Sequence, residues 1–246
     1  MGYHWNWAVF FNRVPSGETT YFFWFVEGLK WTVAVSLSAW IVALLLGALL
    51  GVLRTVPSRA LSGIAATYVE IFRNIPLLVQ LFIWYFVIPE LLPQSIGGAI
   101  KNSPPLLQQF VAGTLCLGLF TAARVCEQVR SGIGALARGQ RNAGLAMGLT
   151  LPQTYRFVLL PMAFRIVVPP LTSEFLNVFK NSAVVSTIGL VELSRQAQQL
   201  VDYTAQPYEA FIAVTLAYLM LNVVIMFFMR WVERTTRVPG FIVAGK

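Results

Sequence analysis

Charged side chains are scarce in this sequence. Asp, Glu, Lys and Arg make up 11% of the 246 residues, whereas 57% are hydrophobic and the mean hydropathy is +0.68. A water-soluble fold covers much of its surface with charged groups, and this chain has too few of them for that. The composition excludes an ordinary soluble domain and predicts a protein that is embedded in lipid.

Metal-binding and redox-active side chains are also few. The chain has one histidine, His4, and two cysteines, Cys116 and Cys126. Ten residues of helix would separate the cysteines by about 15 Å, which is too far for a disulfide. We therefore expect neither a disulfide nor a metal site, and no cofactor held by this chain itself.

A concentrated basic surface is missing as well, although the net charge is +8. The basic residues flank hydrophobic runs, which is the distribution that membrane topology produces. We expect the lipid bilayer, and no nucleic acid, as a partner.

Five hydrophobic runs approach the roughly 20 residues with which a helix crosses a bilayer. A segment surrounded by lipid must satisfy its own backbone hydrogen bonds, so each run should be helical. The runs are residues 31–53, 67–88, 110–129, 166–190 and 210–231. The sequence predicts an all-α integral membrane protein with about five transmembrane helices, forming a single domain over residues 1–246.

Arginine is concentrated at one end of these spans, and such ends stay on the cytoplasmic side. Residues 1–22 should then be an extracytoplasmic segment, residues 131–165 a cytoplasmic loop, and the C terminus cytoplasmic in a multi-pass protein of the inner (cytoplasmic) membrane. The basic residues concerned are Arg54, Arg59, Arg130, Arg138, Arg141, Arg156, Arg165, Arg230, Arg234, Arg237 and Lys246.

The loop over residues 131–165 is longer than the roughly two to eight residues that usually join neighbouring helices. Residues 142–147 should form a short helix with Gly148 at its C-terminal cap, and Pro152 should begin a second helix. Small side chains at Ala143 and Gly144 would let another backbone approach closely. The loop is either a docking surface for another protein or an amphipathic segment on the anionic membrane surface.

The same loop resembles the signature of the membrane-spanning permease subunits of ATP-binding-cassette (ABC) importers. That signature reads Glu-Ala-Ala, three residues, Gly, nine residues and Ile-x-Leu-Pro. The departures here are Asn142 for glutamate, Gly144 for alanine and Val158 for isoleucine. The matching positions are Asn142, Ala143, Gly144, Gly148, Val158, Leu160 and Pro161.

Longer blocks resemble the polar amino-acid branch of this family, and most closely the permeases of glutamate/aspartate importers. They are YVEIFRNIPLLVQ (68–80), FTAARVCEQVRSGI (120–133) and SEFLNVFKNSAVVSTIGLVEL (173–193). The resemblance implies a type I ABC importer permease fold whose cytoplasmic coupling helix binds an ATPase. The implied coupling residues are Asn142, Ala143, Gly144, Gly148, Leu160 and Pro161.

The resemblance also implies partners. They are a pair of ATPase subunits that bind ATP and Mg²⁺, a second permease subunit that is similar or identical, and an extracytoplasmic amino-acid-binding protein. The permease itself would carry no catalytic residue and would work by alternating access.

Ionisable side chains inside the predicted spans indicate a polar pathway, because they are costly in lipid. Pairing between opposite charges that only holds helices together is the competing interpretation. Glu174, Asn177 and Asn181 recur at helical spacing and form one stripe. The candidate pathway residues are Glu70 and Arg73 on the second span, Arg124 on the third, and Glu174, Asn177, Lys180 and Asn181 on the fourth.

Lys180 is the strongest candidate for contact with a substrate, and Arg124 is the second. No carboxylate lies three or four residues from Lys180 on its own helix, so local pairing cannot neutralise it. An acidic amino acid brings two carboxylates and one ammonium, and an unpaired cation would favour it electrostatically.

Three other functions stay open. The chain could be the permease for another polar amino acid, such as glutamine or histidine. It could be an ion-coupled secondary transporter, although no internal repeat is visible. It could also be a membrane scaffold or sensor whose loop recruits a soluble protein.

Other residues carry structural predictions. Gly47 and Gly51 on the first span indicate a close contact between helices. Pro76, Pro89, Pro169 and Pro170 fall within or beside the predicted spans, where proline frees a backbone carbonyl and bends a helix, either as a hinge or as a plain packing feature. Glu192, near the outer end of the fourth span, is a candidate for contact with an extracytoplasmic partner.

Overall fold

The protein is described here by a computed structural model that covers residues 3–136 and 138–236; Arg237 and Lys246 lie outside the described residues. Within these ranges the chain is almost entirely helical and has no β-strand. The predicted all-α fold is confirmed. The helices are α1 (Tyr21–Leu53), α2 (Arg59–Asn74), α3 (Leu77–Phe82), α4 (Ile88–Leu91), α5 (Gln94–Lys101), α6 (Pro105–Gly134), α7 (Arg138–Ala146), α8 (Leu151–Thr154), α9 (Leu160–Asn181), α10 (Leu193–Thr204) and α11 (Pro207–Thr236).

The number of spans agrees with the prediction of about five. Four helical stretches are long and apolar enough to cross a membrane: Tyr21–Leu53, Pro105–Gly134, Leu151–Ile188 and Pro207–Thr236. A fifth span results if α2 and the helical stretch Leu77–Leu91 count as one bent pair. Helices α6 and α11 both begin at a proline, whose missing N–H costs nothing in the first turn of a helix.

The first span begins ten residues earlier than predicted, at Tyr21 instead of Trp31. Glu27 and Lys30 interrupt the hydrophobic run in the sequence, so the predicted span begins only after them. In the structure the two side chains form an ion pair at 3.2 Å, three residues apart on one helix face. Such a pair supports a helix.

The second span is not one continuous helix over residues 67–88, as predicted, because it is broken between Asn74 and Leu77. Pro76 has φ −57° and ψ 138°, an extended conformation that starts α3 anew. Proline offers no N–H to continue the α-helical ladder and disfavours the helical conformation of the residue before it. The expected bend at Pro76 is therefore confirmed, and the helix is not only bent there but interrupted.

A π turn stands one residue before each of two further prolines. The turn Ile83–Val87 precedes Pro89, and the turn Tyr155–Leu159 precedes Pro161. In both cases the intervening residue donates its N–H to the first carbonyl of the turn, five residues back. Because a proline ring clashes with the carbonyl four residues before it, the extra residue relieves the clash without ending the helix.

The chain divides into two compact units. The first comprises Met1–Ile41, Ile75–Gly118 and Asn177–Val224, and the second comprises Val42–Asn74, Leu119–Leu176 and Ile225–Lys246. Helices α1, α6, α9 and α11 each contribute residues to both units.

Each unit has its own buried apolar clusters. In the first unit, one cluster is centred on Val35, Leu81, Leu117 and Val178, and another on Val9, Phe25, Leu193 and Leu200. In the second unit, the clusters are Leu50, Ala65, Val69, Ala123 and Cys126, and Ile133, Leu136, Tyr155, Leu159 and Ala163. Both cysteines are free and buried.

The predicted close helix contact at Gly47 and Gly51 is confirmed within the second unit. A Cβ atom on Gly47 would lie 2.6 Å from Cβ of Val125 on α6 and 2.7 Å from the carbonyl oxygen of Ala122. A Cβ atom on Gly51 would lie 2.6 Å from Cβ of Val129. These distances leave no room for a side chain, so glycine lets α1 and α6 touch through their backbones.

Candidate functional site

The helical piece predicted at residues 142–147 lies in α7 up to Ala146, where the helix ends; Met147 and then Gly148, at φ +82°, follow it. That left-handed conformation is open to glycine at little cost, and it ends the helix. The second predicted helix begins at Leu151, with Pro152 in its first turn. Before it, the N–H of Thr150 donates to Oε1 of Gln153 at 2.8 Å, a contact that caps the helix start.

The small residue Gly144 serves a contact inside this loop. Gly144 is buried, and a Cβ atom there would lie 2.9 Å from Cγ2 of Thr154 on α8. The sequence suggested that Gly144 leaves room for the backbone of another protein. The structure shows instead that the room is taken by the second helix of the same loop.

Other residues of the loop remain available to a partner. Asn142 and Ala143 are exposed, Met147 is 81% exposed, and Leu145 is 40% exposed. Pro161, at the start of α9, is also exposed, while Leu160 is half-buried. A rigid helix with a large exposed apolar side chain beside small polar ones is a surface that a second protein can cover.

A hydrogen bond fastens this loop to the end of the first span. The hydroxyl of Tyr155 donates to the carbonyl oxygen of Thr55 at 2.8 Å and lies 3.1 Å from the Thr55 hydroxyl. The Tyr155 ring is 7% exposed and packs with Ile133 and Leu159. Sequence reasoning missed this contact, because no local spacing relates residues so far apart in the chain.

Beside it, Glu127 on α6 binds two arginines. Arg54, just after α1, forms an ion pair with the Glu127 carboxylate, and Arg130 approaches the same group at 2.9 Å. All three side chains belong to the second unit. From the sequence Arg54 is predicted only to mark membrane topology, because no local spacing relates it to Glu127.

Two of the predicted pathway residues lie close together. Nη1 of Arg124 is 3.9 Å from Oε2 of Glu174, which is 8% exposed. The guanidinium group also lies 5.0 Å from the centre of the Phe120 ring. Arg124 is therefore partly neutralised by its own chain.

Glu70 and Arg73 do not form the ion pair that their spacing suggested. Both are exposed, and Oε2 of Glu70 accepts a hydrogen bond of 3.1 Å from Nδ2 of Asn74. The structure records no ion pair between Glu70 and Arg73, both of which it describes.

Lys180 is exposed at the end of α9. Across residues 3–136 and 138–236, no carboxylate lies within ion-pair distance of its ammonium group. Asn177 and Asn181, on the same helix, are half-buried. Of the two cations proposed for substrate contact, Lys180 is the one whose charge stays unneutralised.

The expectation that Glu192 meets an extracytoplasmic partner is wrong, because Glu192 has no exposed surface. Its carboxylate accepts hydrogen bonds from the Tyr218 hydroxyl at 2.6 Å and from the N–H of Arg195 at 2.8 Å. Burial raises the pKa of Glu192, while these hydrogen bonds act in the opposite direction. The carboxylate caps α10 inside the first unit.

Comparison with known proteins places these features in context. Residues 43–238 match the family described as "Binding-protein-dependent transport system inner membrane component". The chain is 57% identical, over 98% of both chains, to the glutamate/aspartate import permease protein GltJ of Escherichia coli K12. It is 32% identical to the probable glutamine ABC transporter permease protein GlnM of Bacillus subtilis, over 85% of this chain and 92% of the other.

The fold agrees with the same family. A crystal structure of an amino acid ABC transporter with histidines superimposes with a TM-score of 0.73 and 29% identity. The match covers 87% of this chain and 95% of the other.

Proposed function

Because this chain belongs to the family of binding-protein-dependent transport system inner membrane components, we propose that it is the permease subunit of an ABC importer for glutamate and aspartate. The similarity to a glutamate/aspartate import permease along nearly the whole chain carries this proposal. Similarity to a glutamine permease is weaker and covers less of the chain, which favours the acidic substrates.

The energy for transport comes, in this proposal, from two partner ATPase subunits that bind ATP and Mg²⁺. Asn142, Ala143 and Met147 on and beside α7 form the contact surface, and their exposure supports this assignment. A second permease subunit encloses the pathway, and an extracytoplasmic binding protein delivers the substrate. ATP drives the cycle because the ATPases bind the inward-open and outward-open states with different affinities.

Lys180 contributes the positive charge that an acidic amino acid needs. Glutamate and aspartate carry a net charge of −1, so a pathway with one unneutralised cation attracts them over glutamine or histidine. Arg124 contributes less, because Glu174 already offsets part of its charge. Asn177 and Asn181, on the helix that bears Lys180, provide neutral hydrogen-bonding groups.

Uptake measured with the complete transporter tests the substrate. The chain is produced with its ATPase, second permease and binding protein in cells that lack other glutamate importers, and uptake of labelled glutamate is followed. Unlabelled aspartate should compete strongly, and glutamine and histidine weakly. Stronger competition by glutamine, or uptake that persists without the ATPase, would overturn the proposal.

The Lys180→Met variant tests the proposed contact, with Lys180→Arg to restore the charge. Lys101→Met is a matched control, since Lys101 is exposed but already paired with Glu90 at 2.9 Å. We expect Lys180→Met to lose glutamate uptake while the assembled complex keeps its basal ATPase activity. Unchanged uptake kinetics in Lys180→Met would remove Lys180 from the pathway.

A further inference from the structure

The segment before α1 presents an exposed aromatic surface. Five of the nine residues from Tyr3 to Phe11 are aromatic, and none is Asp, Glu, Lys or Arg. Trp5, Trp7 and Phe11 are 57%, 46% and 74% exposed. The family match covers residues 43–238 and leaves this segment outside it.

The backbone of the segment is firmly attached to the first unit. The hydroxyl of Tyr3 and the N–H of Asn6 both donate to the carboxylate of Glu209, which has no exposed surface; the Asn6 contact is 2.6 Å. Burial, together with Glu209, raises the pKa of Tyr3 to about 12, so its hydroxyl remains a donor at neutral pH. Val9 is 1% exposed in a core shared with residues of α1, α10 and α11.

The exposed rings form two groups, each with its rings in contact, which we together call the aromatic collar: Trp5, Trp7 and Tyr208 in one, and Phe11 and Phe22 in the other. The rings of Trp5 and Trp7 stack with centres 6.1 Å apart, and Tyr208 lies 5.9 Å from Trp5. Phe11 stacks on Phe22 at 6.4 Å. Phe22 and Tyr208 stand in the first turns of α1 and α11, so the collar lies at the N-terminal ends of two candidate spans.

The collar continues into an apolar groove along α11. The groove has a volume of about 380 Å³ and follows one helix face from Tyr208 to Leu216, a rise of about 12 Å. Farther along α11, Leu219 and Met220 are 58% and 70% exposed. Helix α11 is long and apolar enough to cross a membrane, so the collar stands at one end of a candidate span with a large exposed apolar face. The groove is lined by Pro207, Tyr208, Phe211, Ile212, Thr215 and Leu216.

We propose that the aromatic collar is an interfacial anchor that lies in the phospholipid headgroup layer, with an acyl chain along the α11 groove. Trp and Tyr are enriched at this level of membranes, because the ring is apolar while the N–H or O–H still finds a polar partner. The lack of charged residues from Tyr3 to Phe11 suits this location. A soluble partner would instead be expected to meet some charged groups at the rim of its contact.

A fluorescent label at position 11 tests the location. Phe11→Cys is labelled with an environment-sensitive dye in the assembled transporter, reconstituted in phospholipid; Cys116 and Cys126 are buried and do not compete. Gln198→Cys, at an exposed polar site on α10, is the matched control. We expect iodide to quench the label at position 11 at least about threefold less than the control label, and lipids carrying a shallow nitroxide to quench it more.

Equal iodide quenching at the two positions would overturn the proposal. So would shielding of position 11 that appears only after the binding protein is added, because the collar would then be a protein contact.

A second pair of variants measures the lipid interaction directly. Phospholipid added to the detergent-solubilised complex should raise its thermal unfolding temperature, and the Trp5→Gln, Trp7→Gln double variant should lose much of that rise. The Trp5→Phe, Trp7→Phe variant keeps the apolar rings and should retain most of it. An identical rise in the Gln variant and the unmodified protein would show that the collar does not bind lipid.

Discussion

The hydroxyl of Tyr218 donates a 2.6 Å hydrogen bond to Glu192, a carboxylate with no exposed surface. This contact joins α11 to the N-terminal cap of α10. Next to Glu192, the N–H of Leu193 donates a hydrogen bond of 3.1 Å to the hydroxyl of Thr32 on α1. Three helices of the first unit therefore meet at one buried acid. Burying a carboxylate is costly unless hydrogen-bond donors surround it, so these donors stabilise the first unit.

Removing the Tyr218 hydroxyl should destabilise the protein. Tyr218→Phe leaves the buried Glu192 with one donor fewer, and we expect a loss of about 1–3 kcal/mol in the free energy of unfolding. Thermal unfolding in detergent measures the change. Tyr208→Phe, on the same helix, is the control, since Tyr208 is 54% exposed and should change stability by less than about 0.5 kcal/mol. Equal effects of the two variants would contradict this interpretation.

The raised pKa of Glu192 predicts a pH dependence of stability. Between the ordinary carboxyl value of 4.5 and the raised value, the folded protein binds more protons than the unfolded chain. The contribution of this group is therefore fully present below pH 4.5, and it is lost as the pH rises through the raised pKa.

Glu192→Gln should remove that contribution and flatten the curve of unfolding temperature against pH in this window. Glu90→Gln, at an exposed acid paired with Lys101, should leave the shape of the curve nearly unchanged. If the curve of Glu192→Gln keeps the slope of the unmodified protein, the slope comes from other groups.

Tyr155 should matter for coupling between ATP hydrolysis and transport. Tyr155→Phe removes the hydrogen bond to Thr55 that fastens the α7–α8 loop to the end of α1. A bond of this kind contributes about 0.5–1.5 kcal/mol, so the number of ATP molecules hydrolysed per imported substrate should rise severalfold. Tyr203→Phe, at an exposed site, should leave that ratio unchanged. A normal ratio in Tyr155→Phe would show that the hydrogen bond is not needed for coupling.

A methyl group at Gly47 should disturb the contact between α1 and α6. Its Cβ would lie 2.6 Å from Cβ of Val125, and overpacking of this kind costs about 1–3 kcal/mol of stability. Gly63→Ala is the matched control, because nothing lies within 4 Å of a Cβ there and alanine favours a helix. Gly63→Ala should be neutral or stabilising in a thermal unfolding assay. No difference between the two alanine variants would contradict the close contact.

Much of the architecture could be predicted from the sequence. The helical spans, the short helix ending at Gly148 and the glycine contact between α1 and α6 all follow from local composition and spacing. The bounds were less accurate. Composition placed the start of the first span at Trp31, whereas α1 begins at Tyr21 and contains the ion pair of Glu27 and Lys30. The prediction of the second span as one helix was wrong, because the effect of a proline depends on the backbone around it. Pro76 interrupts the helix, whereas a π turn accommodates Pro161.

The candidate site likewise has a part that the sequence predicts and a part that only the structure shows. The spacing of the loop residues predicted the short helix and the glycine after it, but not the internal contact of Gly144 with Thr154. The spacing of Glu70 and Arg73 suggested a pair that does not form, while Glu127 binds Arg54, just after α1, in addition to Arg130 at helical spacing. A charged side chain with an oppositely charged neighbour at helical spacing can therefore also form an ion pair with a residue that is close only in the folded chain.

By itself the sequence determined that this chain is a lipid-embedded helical protein with a long helical loop between two of its spans. Lipid offers no hydrogen bonds to the backbone, so each span has to satisfy its own, and local patterns suffice to recognise it. Tertiary structure alone decided which charges are buried, paired or left exposed. Glu192, Arg54 and Lys180 look alike as charged residues near span ends, and their different environments arise from residues that are distant in the chain and adjacent only after folding.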